Sequence, residues 1–144
     1  MSGWDAARFG WLLVCTLAAS VTDVRRRRIP NVLVAVCAAA TPVWWLAGTV
    51  SLTASLWGGA LAGGLFLVPA VLGSAGMGDA KLAAALGLAL GWQAAGSLLV
   101  GTALAVLIGL VVKGKAPYLF GATAGFPMAP AFLLGLVVAG AVSW

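Results

Sequence analysis

Apolar runs broken by short polar or glycine- and proline-marked stretches recur along the whole chain, and most charged positions fall between those runs. About 20 apolar residues at 1.5 Å rise cross a bilayer core. Hydropathy with this punctuation predicts helices over 6–23, 31–47, 54–73, 79–91, 93–112 and 127–143. The fourth stretch reaches only roughly 20 Å at helical rise, against ~30 Å for the hydrocarbon core. It is therefore either preceded by a re-entrant turn over Ser74–Gly78 or joined irregularly to the fifth around Gly91-Trp92. Irregular backbone at membrane depth survives only where protein or a wet cavity covers it, which places the Gly76–Asp79 turn inside the helix bundle.

Composition agrees with the pattern. The chain is 63% hydrophobic and 8% charged, and its 20 glycines are spread through the apolar runs instead of gathering in linkers. The expected architecture is all-α: one integral membrane domain over 1–144, a polytopic bundle of about six transmembrane helices. A charge-rich tail, a long polar insert or a low-complexity stretch would argue for a second domain, and none is seen. The first stretch superficially fits a signal peptide, but four arginines follow it at once and oppose translocation, so a retained first helix is expected.

The basic residues set the orientation. Arg25, Arg26, Arg27 and Arg28 follow the first stretch, Lys81 opens the fourth, and Lys113 and Lys115 follow the fifth, so all seven share one face if the helices alternate. The positive-inside rule makes that face cytoplasmic and, with only Arg8 opposite, puts the amino terminus outside. Arg25 to Arg28 also suit the anionic head groups of the bilayer. The net charge of +5 thus reflects topology and lipid contact, and gives no reason to expect a nucleic-acid partner.

Against this background the acids stand out, since only Asp5, Asp23 and Asp79 are present. An aspartate at the bilayer centre costs roughly 2.5–3.5 kcal/mol on insertion scales, so a carboxylate at a membrane segment is a functional-site hypothesis by default. Helix parity brings Asp23, ending the first stretch, and Asp79, starting the fourth, to one face at similar depth. Two carboxylates a few ångströms apart share one proton, because both cannot ionise at that range. Such a pair hydrolyses an amide: one acts as base on a water while the protonated partner donates to the carbonyl oxygen. Gly76 and Gly78 permit positive φ and close approach to the main chain beside Asp79. Lys81 marks the cytoplasmic face and adjoins the site. Pro30 suits the first turn of a helix, and Asn31 is placed to hydrogen-bond toward the aspartates.

Other chemistries fit less well. No histidine is present, which excludes Ser-His-Asp and Cys-His systems and histidine-ligated metalloproteases. Cys15 and Cys37 form no C-x-x-C pair, so no metal site, redox pair or cofactor is expected, and both read as small buried residues. A Ser74–Lys81 dyad lacks anything that would neutralise the lysine. The alternative from another class is a small proton- or cation-coupled carrier using the paired aspartates, but a carrier favours acids near midplane and internal repeats. Gly59-x-x-x-Gly63, Gly87-x-x-x-Gly91 and Gly121-x-x-x-Gly125 are expected to pack helices.

Three segments resemble the type IV prepilin peptidase family, the GxGD-type aspartyl peptidases. DVRRRRIPN, Asp23 to Asn31, matches an aspartate six residues before an Ile-Pro-Asn that opens the second helix. GMGDAKL holds the signature as Gly76, Met77, Gly78 and Asp79, followed by Lys81-Leu82, and FPMAPAFLLG, Phe126 to Gly135, resembles the start of the family's last helix. In brevity the chain is most similar to the small branch associated with tight-adherence (Flp) pili. The resemblance implies a multi-pass protein of the bacterial inner membrane with Asp23 and Asp79 catalytic at the cytoplasmic side. Its implied substrate is a prepilin or pseudopilin, with a basic leader and a hydrophobic helix, docking at Gly73–Gly78. Larger members carry a cytoplasmic Cys-x-x-Cys insertion and also methylate the new amino terminus. That insertion is absent between the first two helices, so only the peptidase activity is implied.

Overall fold

The computed structural model describes residues 3–26, 28–72, 76–115 and 128–143. Among these, six helices are joined by turns and short extended segments, and no strand forms. They are α1 (Gly3–Arg26), α2 (Asn31–Ala39), α3 (Thr41–Leu46), α4 (Leu52–Val71), α5 (Met77–Lys115) and α6 (Met128–Ser143). Among the described residues only α1 is both long and apolar enough to cross a membrane alone. Shorter apolar helical stretches cover Asn31–Leu46, Leu52–Val68 and Ala129–Val138.

One expected helix is interrupted and two others run together across a kink, each for a local reason. The stretch expected over 31–47 breaks at Ala40 into α2 and α3. Pro42 is the cause: it has no N–H to give to the carbonyl one turn back, and its ring crowds that carbonyl. The fourth and fifth expected stretches run on as α5, which is broken at Gly91, where φ is 80° and ψ is 170°. A residue with a Cβ is strained at that φ, and a Cβ there would also lie 2.9 Å from Val50 Cγ2. The irregular joint expected near Gly91-Trp92 is therefore present, and it divides α5 into arms 77–90 and 92–115.

Specific contacts sort the helix ends into two groups. At one end, Arg8 Nη1 donates to the Thr49 carbonyl at 3.1 Å, Val50 abuts Gly91, and the Phe9 ring lies over Gly140. At the other end, the close of α1, the start of α2, the start of α5 and the start of α6 converge. The interior between them is filled by leucine, alanine and one aromatic edge: Leu12, Ala19, Leu82, Leu86, Leu98 and Leu136 are buried. Phe66 and Phe132 meet edge to face with centroids 4.8 Å apart. The exterior is just as apolar, with Val14, Leu17, Val21 and Val24 forming an exposed stripe on α1 and Leu61, Leu65, Val68 and Leu72 another on and just after α4. Helices apolar on every side suit a membrane or the centre of a much larger protein.

The inward face of α1 carries Arg8, Leu12, Cys15, Thr16, Ala19, Ser20 and Asp23. Its hydroxyls are satisfied within the helix, Thr16 donating to the Leu12 carbonyl at 2.6 Å and Ser20 to that of Thr16 at 2.8 Å. Cys15 on α1 and Cys37 on α2, distant in sequence, are both buried free thiols and lie close enough to influence one another. Mild oxidation with a membrane-permeant copper complex is expected to join them, because thiols this close need little movement to reach disulfide geometry. A mobility shift on non-reducing gels, lost in Cys15→Ser, checks this; no shift would place α2 elsewhere on α1.

Candidate active site

Asp79 lies in the first turn of α5, and its position follows from the local sequence. Gly76 N–H donates to Asp79 Oδ2 at 3.0 Å, while Asp79 N–H donates to the Gly76 carbonyl at 3.0 Å. This is the reciprocal arrangement of a helix start in which an acid at the third position reaches back to the cap, and the helix dipole favours an anion there. The glycines act through their size and not through positive φ. Among the described residues only Gly48 and Gly91 have positive φ, which corrects that expectation for Gly76 and Gly78. A Cβ on Gly76 would come within 3.1 Å of Asp79 Oδ2, and one on Gly78 within 3.3 Å of Ile29 Cβ. Gly78 thus lets the segment before α2 lie against α5.

Asp23 sits in the last turns of α1, where the dipole opposes an anion. Its compensation comes from another helix start: Ala129 N–H, in the first turn of α6, donates to Asp23 Oδ2 at 3.1 Å. Each carboxylate is thus held by a main-chain N–H at a helix N-terminus. Both aspartates are buried to the same degree, 8% exposed. They line one cavity of about 850 Å³ and are close enough for the charge on Asp23 to act on Asp79.

The remaining residues singled out from the sequence surround this cavity. Gly76, Gly78, Lys81, Pro30 and Asn31 all line it, and so do Arg26, Arg28, Ile29 and Met77. Pro30 is the cap just before α2 and not a residue of its first turn, and its carbonyl accepts from Leu33 N–H at 3.0 Å. Asn31 does not reach for the aspartates in the way its position suggested: its Oδ1 accepts from Lys81 Nζ at 3.2 Å, tying the start of α2 to α5. Arg26 and Arg28, expected to meet lipid, also face the cavity. Arg27, Gly73–Ala75, the Gly121-x-x-x-Gly125 pair and the Phe126-Pro127 opening of the third motif lie outside the described residues.

The arrangement combines two buried carboxylates, each accepting from a backbone donor, with a cationic and polar rim around a cavity of about 850 Å³. No group of three or more cysteine or acidic side chains fit to hold a metal forms among the described residues. What sequence reasoning did not supply is Ala129, whose contribution is a main-chain N–H that any residue type other than proline could make. Comparison with curated proteins and with solved structures gave no match. The model of the type IV leader peptidase family matches residues 10–113, a span that contains both aspartates and every described cavity-lining residue. The chain belongs to the type IV leader peptidase family and is a protease of that kind.

Proposed function

We propose that this chain is an intramembrane aspartyl endopeptidase that removes the basic leader from type IV prepilin-like precursors, of the Flp/Tad type or pseudopilins, at the cytoplasmic membrane face. The observation that carries the reading is the meeting of Asp23 and Asp79, from two different helix ends, in one cavity. Family membership supports the protease chemistry. The apolar exterior supports a multi-pass bundle of about six spans in the bacterial inner membrane, and the basic cluster supports an outside amino terminus with the site at the cytoplasmic side. One domain over 1–144 accounts for all of these features.

In this mechanism one aspartate is ionised and its partner protonated. The ionised carboxylate takes a proton from a water as its oxygen attacks the scissile carbonyl carbon, and the partner gives its proton to the carbonyl oxygen. The tetrahedral gem-diol then collapses: the aspartate now ionised takes a hydroxyl proton as the C=O bond re-forms, the C–N bond breaks, and the leaving nitrogen takes from the other aspartate the proton gained from water. The two aspartates thus exchange roles between the two steps. The backbone N–H on each Oδ2 holds the carboxylates while this exchange runs. A substrate helix lying in the bilayer packs laterally on the small-residue faces of the bundle, with its basic leader in the cytoplasm.

The test is cleavage of a candidate prepilin by membranes that carry the chain, with the new amino terminus read by sequencing. Release of the leader supports the reading, and intact precursor at matched protein levels removes it. The rim contact is a smaller matter. Lys81 and Asn31 are exposed, and an exposed polar contact contributes little. Asn31→Ala is expected to slow cleavage by less than about fivefold, the scale of one such hydrogen bond; a much larger loss would assign Asn31 to the chemistry itself.

A further inference from the structure

We propose that Ala129 is a positioning residue for the hydrolysis, through its main-chain N–H, and that the active site is therefore completed by α6, a helix outside the segment that matches the family. The family match ends at residue 113, whereas the donor to Asp23 Oδ2 is at 129. The inference rests on the aspartyl peptidase reading and deepens it. Asp79 is held from within its own turn by Gly76, three residues earlier in the same motif. Asp23 has to be held from elsewhere, because it closes a helix, where local carbonyls and not N–H groups point outward.

The start of α6 is built to make that contact. Ala129 and Ala131 are buried with essentially no exposure, so α6 lies close on α1 at this level. Phe132, fully buried, docks edge to face on Phe66 of α4, and the Phe9 ring over Gly140 pins the far end of α6 to α1. Residue 129 stands in the first turn of α6, where N–H groups have no partner within the helix and are free to serve an anion. The bond from Ala129 fixes the Oδ2 oxygen and, through it, the plane in which the Asp23 carboxyl faces the shared cavity. Proton exchange with Asp79 depends on that orientation, and geometry of this kind is realised in turnover more than in substrate binding.

The experiment replaces Ala129 by lactic acid through ribosomal incorporation, which substitutes an ester oxygen for the N–H and leaves the side chain as it was. Wild type, the ester protein, Ala129→Gly and Ala129→Pro are compared in membranes for kcat and KM on one prepilin. The ester and proline variants are expected to lose about tenfold to a hundredfold in kcat, the scale of a hydrogen bond to a charged group, with KM within about twofold. Ala129→Gly, the conservative variant that keeps the N–H and loses only a methyl group, is expected to hold kcat above that of the ester and proline proteins. An ester protein with kcat within twofold of wild type overturns the inference while leaving the peptidase reading intact. A wild type that cleaves nothing takes down the peptidase reading, and this role with it.

Discussion

Asp23→Asn and Asp79→Asn are each expected to abolish leader cleavage, by about 10³-fold or more, while the protein accumulates in membranes at the wild-type level. General acid–base transfer by a positioned carboxyl contributes about 10²–10⁴-fold, and in the proposed mechanism each aspartate serves once as donor and once as acceptor. Asparagine has the shape of aspartate and keeps a carbonyl oxygen to accept from Ala129 N–H or Gly76 N–H, so the local fold is retained. What it removes is the exchangeable proton. Because the pair acts as a unit, the double variant is expected to be no slower than either single one. Leader release from one prepilin, quantified on gels at matched protein levels, measures all three. Normal cleavage by either single variant removes that residue from the pair and restores the case for a carrier.

The site was legible in the sequence wherever side-chain chemistry carries it. Asp23 and Asp79 stand out because acids are so scarce in this chain, and the parity of apolar stretches by itself brings them to one end. The joint at Gly91 was legible too, since the stretch before it is too short to cross a bilayer alone. The break before Pro42 was passed over because the apolar run continues through it, and hydropathy does not register a missing N–H. Ala129 was hidden for a related reason: its contribution is a backbone donor, and the only trace in the sequence is the proline-bracketed segment around it. The meeting of Cys15 with Cys37 depends on how α2 lies on α1, which spacing within one strand of sequence does not encode. Of the two uses expected of Gly76 and Gly78, close approach to the main chain is present and positive φ is not.

Gly87→Leu is expected to be the most damaging change away from the aspartates, lowering stability by about 3 kcal/mol or more, as overpacking against a rigid neighbour does. At this level α4 and the first arm of α5 touch backbone to backbone. A Cβ on Gly87 would run into the Gly58 carbonyl and come within 2.9 Å of Ala62 Cβ, and one on Gly58 would lie 2.6 Å from the Gly91 carbonyl carbon. No flexible side chain is available to swing aside, so the helices themselves must part. Parting them opens the core around Ala62, Leu86 and Ala89, each fully buried. It also shifts Asp79, which rides on the same arm two turns away, while Asp23 stays fixed on α1 and α6. A misplacement of about 1 Å in a reacting group costs on the order of 10²-fold in rate, so cleavage is expected to fall by that factor even in the fraction that remains folded. Gly64→Leu is the control: nothing lies within 4 Å of a Cβ there, and both stability and cleavage should match wild type. Thermal unfolding in detergent, together with kcat on a prepilin, distinguishes the two variants. If Gly87→Leu behaves like Gly64→Leu, α4 and α5 do not cross at these glycines, and the placement of Asp79 has to be explained by the contacts of Gly78 with Ile29 and of Lys81 with Asn31 alone.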